Sequence, residues 1–188
     1  EAAHAAALQG RGVLTSGWLR GLSGQSRWFE MPSVLLPGDN GEPPSVLSVT
    51  RDITDQKHAQ RRQTLQHAVA KVLAEASTVE QAIPELLRVI GTSLGWQVGA
   101  FWRVQDRTRL LHCLQTWEAP LHSAEEFVRA SREESFPSGT GFPGRCWERG
   151  EPLWEPDVLA DRDFVRTEAA ALNQLHAGCV FPVWLRAS

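Results

Sequence analysis

Three cysteines are the residues of this sequence best suited to nucleophilic or redox chemistry. Cys113, Cys146 and Cys179 lie far apart in the chain, so no pair has the C-x-x-C spacing of a metal or dithiol site. An odd number of cysteines also does not form a complete disulfide framework. The pattern favours reduced, mostly buried thiols in a cytoplasmic protein.

Acidic and basic residues of the C-terminal third could bind ions. Asp157, Asp161 and Asp163 are almost regularly spaced, but the glycine and the distal glutamate of a calcium loop are absent. We therefore interpret Asp161 or Asp163 as the cap of a following helix. Arg145 and Arg149 lie four residues apart, a spacing that suits either an anion site or a solvated helix face.

The six histidines form no cluster, and neither of those predicted on the connecting helix, His58 and His67, has the sequence context of a phosphoacceptor. We predict no catalytic residue and no metal ligand in this segment. Of the 188 residues, 42% are hydrophobic and 22% are charged, as in an ordinary globular protein, and the net charge of −3 gives no case for nucleic acid binding. No apolar run is long enough to span a membrane.

The elements that would position any site begin with strands. Alternating or β-branched residues predict three antiparallel strands at 12–20, 26–36 and 45–51, with a turn at 38–41. Asp52, Ile53 and Thr54 then convert the last strand into a helix, because Asp and Thr side chains accept the free N–H groups of a first helical turn.

The predicted connecting helix covers residues 55–76. Leu65, Val69, Val72 and Ala76 are spaced four, three and four residues apart, which is a coiled-coil stripe of two heptads. We expect this helix to pair with its copy in a homodimer.

The segments 18–30, 38–43 and 50–54, which ends in Asp52-Ile53-Thr54, resemble the last three strands of a PAS domain. In that family the Asp-Ile-Thr motif is typically followed by a signalling helix. The resemblance implies that residues 1–54 are the C-terminal part of a PAS domain. It also implies that Asp52, Ile53, Thr54 and the stripe residues transmit a signal into the helix.

The second half predicts a mixture of helices and strands. Ser77 to Glu80 fits a capping box that starts a helix ending at Gly95. Strands are predicted at 97–104, 109–117, 152–156 and 178–185, and helices at 125–132, from about Pro143, and at 163–175.

Residues 94–96, 139–147, 150–157 and 178–183 resemble the motifs of a GAF domain, in the order of that family. The resemblance implies a GAF domain at 77–188 that stops before the family's two further strands and closing helix. The fold class we expect is α+β: a partial antiparallel PAS sheet, a connecting helix at 55–76, and a GAF-like antiparallel sheet flanked by helices.

The resemblance also implies a ligand cavity between one face of the sheet and residues 118–177. Its wall would contain aromatic, aliphatic and thiol side chains: Trp117, Phe127, Phe136, Cys146, Trp147, Trp154, Phe164, Leu172 and Leu175. The alternative is that these side chains fill the space and no ligand binds.

Three chemistries of the GAF family are disfavoured by the residues present. Covalent bilin attachment is not expected, since residues 167–175 hold no cysteine, and the cyclic-nucleotide signature is absent. The sulfoxide reductases place a cysteine where this chain has Phe142 and Pro143. The cofactor therefore stays unknown.

Together these features predict the sensory and signal-transmission module of a cytosolic bacterial signal-transduction protein, most simply a sensor histidine kinase. Alternatives are the regulatory region of a diguanylate cyclase, a phosphodiesterase or a transcription activator. A bilin photoreceptor and a GAF-type redox enzyme are weaker alternatives. The segment itself is expected to have no enzymatic activity, and its expected partners are a second copy and a small molecule.

Overall fold

A computed structural model describes residues 13–20, 25–38 and 43–184. The chain divides into two compact units, residues 1–64 and 65–188. The predicted turn at 38–41 falls almost wholly outside the described residues, as do the first twelve residues of the predicted PAS segment.

The first unit contains an antiparallel sheet centred on its longest strand. Strand β2 (Ser26–Leu36) pairs along one edge with β1 (Val13–Arg20) and along the other with β3 (Ser45–Ser48) and β4 (Arg51–Asp52). The predicted strand 45–51 is thus interrupted between β3 and β4. The interruption lies opposite Pro32, which has no N–H to donate to a ladder, although its carbonyl accepts the Val49 N–H at 3.2 Å.

One helix, α1 (Thr54–Glu75), follows β4 directly and differs by one residue at each end from the predicted helix. None of its residues is buried. It therefore lacks, within the described chain, the packed apolar face from which most helical stability in proteins comes.

The next helix, α2 (Val79–Leu94), begins at a side-chain cap. The Thr78 hydroxyl accepts the Gln81 N–H at 3.3 Å, and the Gln81 side chain accepts the Ser77 N–H at 3.1 Å. The predicted capping box, which ran from Ser77 to Glu80, was therefore one residue too early. Gly95 ends the helix in the left-handed conformation, with φ of 72°.

The second unit is built on two antiparallel sheets. Strands β5 (Val98–Gln105), β6 (Leu110–Glu118) and β7 (Ser135–Phe136) form the first sheet, and β8 (Leu153–Glu155) and β9 (Gly178–Val180) form the second. The connecting segments contain α3 (Glu125–Glu133), α4 (Gly141–Arg149) and α5 (Thr167–Leu172). The short strand β7 was not predicted, because two residues carry no periodic signal.

The predicted helix 163–175 was too long at both ends. Hydrogen-bonded turns occupy its start, where the Asp161 carbonyl accepts the Phe164 N–H at 3.1 Å and the Asp161 carboxylate accepts the Asp163 N–H at 3.0 Å. At its end Gln174 has a φ of 53°, which a helix does not allow. Strand β9 likewise stops at Val180 instead of residue 185, shortly before Pro182.

The core of the second unit lies between β5 and the segments that cross it. Seven buried side chains pack together there: Ala124, Phe127, Phe142, Val158, Phe164, Ala170 and Leu175. They come from α3, α4, α5 and the intervening loops. Five of them also line a cavity beside β5. Among the helices of the described residues, none is long and apolar enough to cross a membrane.

Candidate functional site

A cavity of about 130 Å³ lies in the second unit and is partly open to solvent. One wall is β5 with the turn that precedes it, and the others come from α3, α4, the 158–166 segment and β9. The lining residues are Trp96 to Ala100, Trp102, Phe127, Phe142, Pro143, Val158, Phe164, Arg166, Leu175 and Ala177 to Val180. Cavities of this size hold a molecule about as large as benzene.

Three of the nine side chains predicted for the wall do line this cavity: Phe127, Phe164 and Leu175. Their rings and methyl groups belong to the buried cluster of the core. The Phe127 and Phe164 rings are nearly parallel, with centroids 6.3 Å apart. The same three side chains therefore belong to both the cavity wall and the hydrophobic core.

The other six predicted wall residues are not among those that line this cavity. Trp117 packs on α2, where a Cβ on Gly91 would lie 2.1 Å from the Trp117 ring. Trp154 and Leu172 are exposed, by 62% and 65%. The remaining three, Phe136, Cys146 and Trp147, do not reach the cavity either.

Arg166 is the one charged residue among the lining residues that the sequence did not reveal. It is only 7% exposed, and its guanidinium carbon lies 4.5 Å from the centroid of the Phe127 ring and 5.1 Å from that of Trp102. Nothing in the sequence separates it from the solvated arginines, because the rings around it come from distant segments. It lies just before α5, where the surrounding rings bury its side chain.

The thiols near the cavity are poor nucleophiles. Burial raises the pKa of the Cys146 thiol, and the neighbouring Cys179 raises it further. Burial also raises the pKa of Cys179, which does line the cavity. Since the thiolate is the reactive form, this environment opposes redox or covalent chemistry at these positions.

The acidic residues considered for metal binding form ion pairs and hydrogen bonds within the chain. Arg145 forms an ion pair with Asp161, and its other terminal nitrogen lies 3.9 Å from Asp163. Burial alone would raise the pKa of Asp161, but hydrogen bonds from Arg145 and from the Asp163 N–H lower it below its usual value. The prediction that Asp161 or Asp163 caps the following helix was wrong, because the N-cap of α5 is Arg166 and no side chain caps it. The described residues contain no group of His, Cys, Asp and Glu side chains suited to hold a metal ion.

The predicted transmission residues Asp52, Ile53 and Thr54 lie together at the joint between β4 and α1. The Asp52 carboxylate accepts the Thr54 N–H at 2.9 Å, and the Ile53 N–H donates to the Trp28 carbonyl at 2.9 Å. The Thr54 hydroxyl accepts the Trp28 N–H, also at 2.9 Å. The start of the helix is thus hydrogen-bonded to the central strand β2.

Ile53 is buried at this joint and only 6% exposed. Further along α1 the stripe residues Leu65, Val69 and Val72 are half-buried, whereas Leu73 is 55% exposed. The structure has the helix that the sequence predicted. The side chains of its apolar stripe are only partly buried within the described chain.

The contribution of Asp52 to the stability of this joint should depend on pH. Hydrogen bonds from the hydroxyl and N–H of Thr54, together with the Arg27 guanidinium at 2.8 Å, lower the pKa of Asp52 to about 2. Because the folded-state pKa is depressed, this stabilisation should be present above about pH 4 and be lost as the pH falls through about 2. NMR titration of the side-chain carboxyl carbon measures this directly, and a midpoint near the usual value of 3.8 would contradict it.

No protein-family model matches the chain, and no curated protein matches it. Several solved structures are similar to it, among them a sulfoxide reductase and a GAF domain. A free methionine-R-sulfoxide reductase from Neisseria meningitidis, in complex with its substrate, is 22% identical with a TM-score of 0.51, covering 69% of this chain and 68% of that one. The nlh2 GAF domain of A. aeolicus, in an inactive state, is 20% identical with a TM-score of 0.48, covering 61% of this chain.

This chain spans 64% of the length of that A. aeolicus chain. At these identities a structural likeness concerns the fold alone. The α+β class predicted from the sequence is confirmed: antiparallel sheets flanked by helices, in a fold similar to that of the sulfoxide reductase.

Proposed function

We propose that this chain is the sensory and signal-transmission region of a cytosolic bacterial signal-transduction protein, most simply a sensor histidine kinase. In this proposal residues 1–54 are the end of a PAS domain, α1 is a signalling helix, and the GAF-like unit binds a small molecule. The chain itself performs no catalysis. The observation that carries the proposal is the cavity, whose apolar wall contains a single charged residue, Arg166.

The lining of the cavity favours binding over turnover. An apolar pocket with few, well-placed polar groups is the usual form of a small-molecule site. Among the lining residues the polar side chains, besides Arg166 and the indole N–H groups of Trp96 and Trp102, are Gln97 and Cys179. Neither forms a nucleophile–base pair with the other lining residues, and the raised pKa of Cys179 weakens it further as a nucleophile.

The exposed helix supports the transmission part of the proposal. A 22-residue helix with no buried side chain and a half-buried apolar stripe is suited to pair with a second copy of itself. Hydrogen bonds to β2 at its first turn give it a defined attachment to a sheet. A change in the sheet would then shift the equilibrium between two arrangements of the paired helices, for which about 1–3 kcal/mol of coupling suffices.

The expected oligomer provides the test. Leu65→Asp should weaken dimerisation at least about 100-fold, because a symmetric interface loses two buried leucines, each worth about 1.5–3 kcal/mol. Light scattering after size-exclusion chromatography, run over a range of concentrations, measures this. Gln66→Asp adds the same charge at an exposed position of the same helix and should leave the dimer intact.

A wild-type chain that remains monomeric at high micromolar concentration would refute the dimer. Equal weakening by both substitutions would refute the role of the stripe, since the effect would then come from charge alone. In either case the cavity and its ligand remain to be judged separately.

A further inference from the structure

Arg166 is the one buried charged residue among the residues that the structure describes. Burial lowers the pKa of its guanidinium to about 10, against the opposing influence of Cys113 and Glu134, so the side chain still carries its charge at neutral pH. None of the ion pairs within the described ranges involves Arg166, and Glu134 influences it only without direct contact. A buried cation without a paired anion is unusual, because its desolvation is not offset by an ion pair.

The surroundings of the guanidinium hold it in place without neutralising it. Besides the Phe127 and Trp102 rings, the rings of Phe164 and Phe136 lie 5.4 Å and 5.7 Å from it. Ring faces attract a cation, which offsets part of the cost of burial. The charge itself remains uncompensated.

One hydrogen bond fixes the orientation of the guanidinium. Its Nη1 donates to the Ser131 hydroxyl at 2.5 Å, and that hydroxyl donates in turn to the Phe127 carbonyl at 2.7 Å. A guanidinium has five N–H donors, and Ser131 is its one hydrogen-bond partner in the described part of the chain. Donors are therefore left over for a group inside the cavity that Arg166 lines.

The other residues of the cavity wall indicate the chemistry of the rest of the ligand. Its other residues carry no charge, and most are apolar or aromatic. The volume of about 130 Å³ suits a small molecule. A planar carboxylate matches the fork of a guanidinium and accepts two parallel hydrogen bonds from it.

We propose that the cavity binds a small aliphatic or aromatic carboxylic acid, with its carboxylate on Arg166 and its apolar body against Val158, Phe142 and Phe164. This inference rests on the proposed function, because it names the ligand class of the same cavity. Ser131 and the four rings act as positioning groups for the guanidinium.

The experiment titrates the full chain with butyrate, its neutral isostere butyramide, and nitrate, and follows the indole N–H signals of Trp96 and Trp102 by NMR. Butyrate should bind with a Kd below about 1 mM and shift both signals. Butyramide and nitrate should bind at least tenfold more weakly, since one lacks the charge and the other the apolar body. Arg166→Gln should weaken butyrate binding at least about tenfold, as expected for loss of a charge-assisted hydrogen bond.

Arg162→Gln is the matched control, because it removes the same charge from an exposed position nearby and should leave binding unchanged. If Arg166→Gln does not fold, Ala100→Leu replaces it, since a larger side chain on the β5 wall fills the cavity and should abolish the butyrate shifts. Equal binding of butyramide, equal binding of nitrate, or no butyrate binding to the wild-type chain would each overturn the inference. The dimerisation test on α1 does not depend on any of these outcomes.

Discussion

Gly144→Ala should destabilise the second unit by about 1–2 kcal/mol. A Cβ at this position would lie 2.3 Å from the Pro137 carbonyl oxygen, a backbone atom that cannot rotate away as a side chain would. Overpacking of this kind typically costs about 1–3 kcal/mol and occasionally more. The gain in helix propensity from Gly to Ala, about 1 kcal/mol, only partly offsets it.

The loop around Pro137 cannot easily move aside. The Pro137 carbonyl accepts the Thr140 N–H at 3.2 Å, and the Gly139 N–H donates to the Gly144 carbonyl at 2.9 Å. Gly139 and Gly141 both have positive φ, 82° and 61°, so the loop already occupies conformations that few other residues adopt. Relief of the clash would therefore break hydrogen bonds at the start of α4.

Urea unfolding followed by tryptophan fluorescence measures the change in the free energy of unfolding. Gly17→Ala is the control, because a Cβ there would meet nothing within 4 Å, and it should change stability by less than about 0.5 kcal/mol. A similarly small effect of Gly144→Ala would show that the contact between α4 and the 137–140 loop is not tight in solution.

Local patterns predicted the elements of this fold better than they predicted its cavity. The helices α1 and α2 and the strands β5 and β6 follow from periodicity and from cap residues such as Thr78, which act within a few positions of the chain. Those signals are local, so the sequence contains them in full.

The cavity wall depends on which face each side chain occupies, and this is set by strand register. The pairing of β5 with β6 shifts between Phe101 and Trp102, and Trp117 pairs with Gly99 on the side that packs on α2. A change of one residue in register reverses the face of every following side chain. The structure thus places Trp117 against α2 and Trp102 at this cavity, and local sequence patterns do not distinguish these two positions.

Arg166 could not be predicted as part of the cavity for a related reason. Its environment comes from Ser131, Phe136 and Trp102, which belong to three separate elements. An arginine near a helix start is ordinarily exposed, so local sequence favoured the wrong environment. Only the tertiary arrangement places it against the cavity.

Phe164→Ala should destabilise the second unit by about 3–5 kcal/mol, the usual cost of removing a buried phenylalanine. The Phe164 side chain is 5% exposed, and its ring lies 6.2 Å from that of Phe142 and 6.3 Å from that of Phe127. Truncation leaves a void continuous with the existing cavity and removes one of the rings that face Arg166. Phe164→Leu keeps most of the volume and should cost less than half as much.

Urea unfolding of both variants, with and without butyrate, separates the two roles of this ring. A bound ligand stabilises the folded state by RT ln(1 + [L]/Kd), so the stabilisation by butyrate reports its affinity in each variant. We expect Phe164→Ala to lose both stability and most of the butyrate effect, because one ring supports the core and the wall together. A loss below about 1 kcal/mol would mean that the core does not depend on this ring, and the cavity would then be a flexible rather than a preformed site.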